Sequence, residues 1–299
     1  MSARFTGIHA VLYALFDAGG ELDRDAMRVQ VERCIEARVD GIVVLGLATE
    51  VVKLTEGERR QVVEWAASDI AGRVPLGVTI YGNSIPEQRA MLKVAEANGA
   101  SWVILQPPMV GQYSANEVKA FLSSVAQSTV LSVALQNAPQ LMGRGFTAAE
   151  VIEFVQRNPN IGHLKCEMPV LDMRAIAEAI GGKVVLLNGQ GGMEMVDNLR
   201  AGCDGFILAP DIVDWAVRIN DAWKAGDLAT AEAIYVEALP AIVFSMRSLE
   251  HLIAYGKRLF GKRADMNVYD RAPAVRPTPF GLACVENYAA RLGRFPCDR

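Results

Sequence analysis

The stretch "IGHLKCEMP", residues 161–169, sets a lysine and a glutamate two positions apart in an otherwise apolar run. On an extended chain such residues share a face, so His163, Lys165 and Glu167 point the same way if this run is a strand. A lysine in these surroundings must reach water, pair with a carboxylate or lose its proton. The neutral amine can attack a 2-keto group and form a Schiff base. The iminium draws electrons toward nitrogen, which eases loss of a C3 proton or cleavage of the C3–C4 bond. Glu167 is then a candidate acid–base beside the imine. The structural alternatives are an ion pair between Lys165 and Glu167, a lysine snorkelling from a strand end, and a glutamate favouring the N-terminus of the next helix. His163 reads as a satisfied core histidine. Cys166 alternates away and reads as packing.

The elements that must position these residues follow from hydropathy. Runs rich in Val, Ile and Leu lie at 8–16, 40–46, 74–81, 100–107, 130–137, 161–167, 184–189 and 205–210. Their near-continuous apolar character fits strands buried on both faces. Amphipathic segments lie between them, with N-caps expected at Asp23, Thr55, Ser84, Ser114 and Thr147. Thr55 and Glu58, Ser114 and Glu117, and Thr147 and Glu150 have capping-box spacing. Gly72, Gly99 and Gly202 stand where left-handed C-caps are wanted. About eight strand–helix alternations, with no GxGxxG after the first strand, predict an α/β fold, a (β/α)₈ TIM barrel, rather than an open dinucleotide-binding sheet. Residues 211–260 then read as consecutive helices. A Pro-rich connector, "RAPAVRPTPF", and a last amphipathic helix follow. The expected division is a barrel over 1–225 and a C-terminal helical extension over 226–299, packed on it.

In such barrels the site lies at the C-terminal ends of the strands. Lys165 and Glu167 fall there. Tyr81, ending the third strand, is a further polar catalytic candidate. Gln136 can hydrogen-bond a substrate hydroxyl or carboxylate, but its amide does not titrate. Asn137 reads as holding a strand-end turn, and Glu50 as orienting the loop after the second strand. Gly189, in "GQGG", permits close backbone approach, and Ile207 in the eighth strand completes the expected substrate-binding set. The cations of "GKRLFGKRAD" read as a solvated or subunit-contact face.

Composition narrows the partners. Of 299 residues, 51% are hydrophobic and 21% charged, and the formal net charge is −4. Nothing here points to nucleic acid or an anionic membrane. No window is expected to approach the length of a membrane span. Five scattered cysteines without a CxxC pair suggest reduced thiols and a cytoplasmic location. The three histidines form no metal-ligand spacing, so no metal is expected.

"GLATEVVKLTEGER", "VTIYGNS", "QNAP", "IGHLKCEMP", "NGQGG" and the terminal "RPTP" occur in an order that resembles the dihydrodipicolinate synthase / N-acetylneuraminate lyase family. The resemblance covers nearly the whole chain. It implies that Lys165 forms a Schiff base with pyruvate or another 2-keto acid, with no metal or organic cofactor. It also implies a cytoplasmic homo-oligomer, commonly a tetramer. The family's paired threonines are replaced by Leu47 and Ala48, its tyrosine after strand five by Gln136, and its aromatic after strand four by Met109. Because Leu47 and Gln136 cannot relay protons, dihydrodipicolinate synthase and sialate lyase activities are not expected. Carboxylate binding by the backbone N–H groups of Leu47, Ala48 and Thr49 survives, because it needs no side chain. "QNAP" and "K-x-E-x-P" are most similar to the 2-keto-3-deoxy-pentonate (L-arabonate type) dehydratases, with aldol cleavage the sibling outcome. The alternatives are another pyruvate-type lyase, an imino-acid deaminase, a keto-acid-binding barrel without catalysis, and a phosphate-binding barrel isomerase.

Overall fold

The computed structural model describes residues 3–296. Eight parallel strands form a closed barrel in sequence order: β1 (Gly7–Val11), β2 (Gly41–Val44), β3 (Leu76–Ile80), β4 (Trp102–Leu105), β5 (Ser132–Asn137), β6 (Ile161–Cys166), β7 (Val185–Asn188) and β8 (Gly205–Leu208). The barrel closes where β1 meets β8, with Ile8 opposite Phe206 and Ala10 opposite Leu208. Each expected strand is present but shorter. The largest difference is in β1, which leaves the ladder after Val11. Leu12 to Phe16 remain buried, and Phe16 bridges to Leu22 and Tyr269. Apolar character marked their burial but could not mark where pairing stops.

Helices start at all five expected caps. Thr55, Ser114 and Thr147 close their capping boxes, and so does Ser84 with Glu87. Gly202 is a left-handed cap with φ 103°. At the end of the Glu56–Ile70 helix the cap is Ala71 (φ 48°), and Gly72 continues the left-handed turn. At 98–99 the cap is Asn98, with Gly99 following in the left-handed region.

Beyond β8 the described chain is helical, with main segments Val213–Lys224, Leu228–Ser245, Lys257–Arg263 and Pro279–Leu292. The boundary expected after residue 225 falls in the turn between the first two. The Leu228–Ser245 helix, with mean hydropathy 1.4, is long and apolar enough to cross a membrane on those measures. This departs from the expectation that no window reaches such a length. Here the helix packs on Val213–Lys224 and buries Ala231, Ala238, Ala241 and Ile242.

The cations of 256–265 are not one solvated face. Lys257 is fully buried and pairs with Glu50, and buried Arg263 pairs with Asp214. The segment is helical, so part of its cationic set turns inward, where a charge persists only beside a carboxylate. Arg258 is half-buried against Asp270, and Lys262 alone of these four stays largely exposed, beside Glu286. Cys34, Cys166, Cys203 and Cys284 are free thiols; Cys297 lies outside the described residues.

The N-terminal end of the barrel is plugged by rings. Phe5 stacks on Trp102 and on His163, and His9 meets Trp102 edge-on, all at 5.4 Å between centroids. His163 Nε2 accepts the Phe5 N–H at 3.1 Å. His163 is thus the core residue its neighbours suggested.

Burial pushes both imidazoles, His9 and His163, down to about 4 from 6.5. Below pH 6.5 the unfolded chain takes up protons that the barrel refuses until about pH 4. Stability therefore falls through that window, by roughly 3 kcal/mol per histidine at most. Asp211, raised by burial from 3.8 to about 6, binds its proton earlier in the fold and offsets part of this as pH drops. Urea midpoints should fall between pH 7 and pH 4.5, and His163→Gln should flatten the slope. An unchanged slope would remove the plug from the account.

Candidate active site

Lys165 stands on β6 with Gln136 of β5 and Leu187 of β7 as register neighbours. Its side chain is 5% exposed, and Nζ lies 3.5 Å from Glu167 Oε2. Glu167 is held from several sides. Its N–H donates to Asn137 O at 2.8 Å. Its Oε1 accepts the Gln190 N–H at 3.2 Å, and its carbonyl accepts Gln190 Nε2 at 3.2 Å. A Cβ on Gly189 would fall 2.3 Å from Oε1. Gly189 therefore makes room for the glutamate, a different role from the substrate contact expected of it. One carboxylate oxygen is anchored, and the other, Oε2, has no hydrogen bond among the described residues and faces the amine. The next helix does not use Glu167: Val170 N donates to Glu194 Oε2 at 3.1 Å.

After β2 the chain makes two short 3₁₀ turns, Leu47–Thr49 and Val51–Lys53. The first amides of such a turn have no acceptor within it. Those of Leu47 and Ala48 fit an anion, and both residues line the Lys165 cavity. Thr49 is different: its N–H donates to Gly46 O and its hydroxyl to Leu12 O at 2.6 Å. Of the three amides expected to bind a carboxylate, that of Thr49 is therefore already taken. Glu50 receives Lys53 at 2.6 Å and the buried Lys257, which ties this loop to the C-terminal helices. Asn137 holds its strand-end turn by paired bonds with the Phe146 backbone.

Ile207, with Val11, Ala209, Leu47 and Ala48, joins Lys165 and Glu167 in one cavity. Gln136 is fully buried in register with Lys165 and therefore on the same side of the sheet. Its amide atoms, those of Gln106 and the Thr79 hydroxyl make no hydrogen bond among the described residues. Buried polar atoms left so are costly, about 1–3 kcal/mol each, and mark where a polar ligand or water is wanted. Tyr81 is not brought to Lys165. The β3 ladder ends at Ile80, and the half-buried ring of Tyr81 lies under the Arg59 guanidinium at 4.4 Å, outside the cavity lining. Leu45, Glu50 and Gln190 are non-glycine residues with positive φ, 61°, 53° and 49°, in the loops on either side of the site. Such strain persists where the surroundings over-determine it and clusters at functional sites.

Sequence spacing did not reveal the roof: Leu141, Gly191, Met246, Leu249 and Leu252. Three of these lie some eighty residues beyond Lys165, in apolar positions that look like any core. Thr79 was legible only as an alternate residue of "VTIY". Among the described residues no cluster of His, Cys, Asp or Glu could hold a metal ion.

The family model described as the dihydrodipicolinate synthetase family matches residues 4–265. The chain belongs to that family. It is accordingly an enzyme of the class I lyase type. It is 26% identical, over 80% of its length and 79% of the relative's, to L-2-keto-3-deoxyarabonate dehydratase of Azospirillum brasilense. It is 27% identical to an Escherichia coli K12 protein named "Probable 2-dehydro-3-deoxy-D-pentonate aldolase", over 86% of this chain and 88% of that one. A solved E. coli K12 member of the dihydrodipicolinic acid synthase family, in complex with pyruvate, has the same fold, with a TM-score of 0.86 and 24% identity. It covers 97% of this chain and 99% of its own.

In this member of the family the geometry sets Glu167 Oε2 3.5 Å from Lys165 Nζ. Glu167→Gln should still trap pyruvate under borohydride but lose roughly 10²–10⁴-fold in turnover, the usual range for a general acid–base. Single-turnover trapping beside steady-state rates separates the two steps. A fully active variant would move the proton step to a bound water.

Proposed function

We propose that the protein is a Schiff-base-forming lyase of 2-keto-3-deoxy sugar acids, working as a dehydratase in preference to an aldolase. The carrying observation is Glu167 Oε2, 3.5 Å from Lys165 Nζ and with no hydrogen bond among the described residues, in a cavity that no hydroxyl side chain among the described residues lines. The substrate carboxylate lies on the Leu47 and Ala48 amides. Lys165 Nζ attacks C2, and loss of water gives the iminium. Glu167 takes the C3 proton and leaves an enamine. The enamine expels the C4 hydroxyl, which departs as water with the proton from Glu167. Loss of a C5 proton and protonation at C3 turn the unsaturated imine of a five-carbon acid into a C4–C5 enol. The enol tautomerises to an aldehyde, and hydrolysis of the imine releases the semialdehyde and restores the amine.

Aldol cleavage would instead need a base at the C4 hydroxyl. Gln136 stands where the resemblance expects a tyrosine, and an amide does not titrate there. Dehydration needs one titrating group near C3, which Glu167 supplies. The unpaired amides of Gln106 and Gln136 suit a substrate carrying hydroxyls. The relatives named as a dehydratase and an aldolase of 2-keto-3-deoxy acids support the substrate class. The family resemblance carries two further proposals, a cytoplasmic location and a homotetramer.

Borohydride with pyruvate or a 2-keto-3-deoxypentonate should add the reduced ligand's mass at Lys165, and Lys165→Ala should abolish the adduct. Peptide mapping that places the label on another lysine, or finds none with any keto acid, would overturn the enzyme mechanism and favour a keto-acid-binding barrel. Condensation of pyruvate with aspartate semialdehyde and cleavage of sialic acid should be negligible. A coupled assay giving about 1 s⁻¹ or more for either would mean that another residue relays the protons.

A further inference from the structure

The cavity over Lys165 is small, about 30 Å³. Met246, Leu249 and Leu252 of its roof belong to one short segment. The Leu228–Ser245 helix ends just before it. A single turn, Leu249–His251, and a π-helical turn, Leu252–Gly256, follow at once. Breaks of this kind, π turns above all, recur at functional sites. The roof is seated on the "GQGG" turn: a Cβ on Gly191 would fall 2.1 Å from Met246 Cγ.

Two larger cavities flank the roof. One, of about 420 Å³, is largely apolar and includes Met109, Ile253 and Val275. The other, of about 570 Å³, includes Gln140, Gln190, Ser248, Arg247 and Glu250. Leu249 borders all three spaces. Leu47 borders the catalytic and apolar ones, whereas Met246 and Leu141 border the catalytic and polar ones. A keto acid with C1 on the Leu47 and Ala48 amides and C2 at Lys165 must extend its far end away from Leu47. That direction leads past Met246 and Leu249 into the polar cavity.

We propose that Met246 and Leu249 form a partition that sets the chain length of the acid the enzyme accepts, with atoms beyond C4 passing beneath them into the polar cavity. The proposal rests on the imine at Lys165. Its test is the ratio of kcat/KM for a six-carbon to a five-carbon 2-keto-3-deoxy acid. Leu249→Ala should raise this ratio by about tenfold and Leu249→Phe should lower it, since a methylene or two in an apolar pocket changes discrimination by that order. Ratios within about twofold of wild type in both variants would overturn the partition, as a twofold change is below what a pocket contact of this size supplies. If Leu249→Ala does not fold, Leu249→Phe and Met246→Val carry the same ratio. Pyruvate trapping of the wild type separates the two levels. An adduct at Lys165 with unmoved ratios rejects the partition alone, whereas no adduct rejects the imine and the partition with it.

Discussion

Closing eight parallel strands into a barrel leaves every second side chain of each strand with nowhere to go but inward. Everything functional in this molecule follows from how that interior is filled. At the N-terminal end it is filled by rings: Phe5, His9, Trp102 and His163 pack into a plug. At the C-terminal end it holds Lys165, Gln136 and Thr79. A lysine can stand there because the strand that carries it also delivers Glu167 two residues on. Both side chains are largely buried, which strengthens the contact between them.

The site also depends on parts that touch no substrate. Gly189 and Gln190 hold Glu167 so that one oxygen is anchored and the other faces the amine. Asn137 fixes the end of the neighbouring strand. Glu50, with a left-handed backbone, is clamped by Lys53 and by Lys257 from the C-terminal helices. Lys257 has its charged form disfavoured by burial, and Glu50 opposes that shift. Removing either member of such a pair leaves an uncompensated buried charge. The C-terminal helical region therefore both holds the loop after β2 and supplies Met246, Leu249 and Leu252 to the lining of the Lys165 cavity.

Much of this was legible beforehand. Strand–helix alternation and five side-chain caps gave the architecture, because barrel strands are short, apolar and local in sequence. Lys165 was visible from the period of two within its strand, and Glu167, one residue past β6, keeps that alternation because its N–H still bonds to Asn137 O of β5. Tyr81 was misplaced because alternation ceases to hold once the ladder ends. Thr49 was miscounted because its N–H and hydroxyl were taken up by Gly46 and Leu12. The inward-turned cations Lys257 and Arg263 were misread because charge alone does not tell which side of a helix finds a carboxylate.

By itself the sequence determined what local physics can determine: the order of elements, their caps, the shared face of Lys165 and Glu167, and the replacement of hydroxyl residues by Leu47, Ala48 and Gln136. Only the tertiary structure decided the roof of Met246, Leu249 and Leu252, the pairing of Glu50 with Lys257, and the handing of Val170's amide to Glu194 instead of Glu167. Each of these joins residues tens to hundreds of positions apart. Closure of the barrel sets such distances, and no periodicity along the chain encodes them.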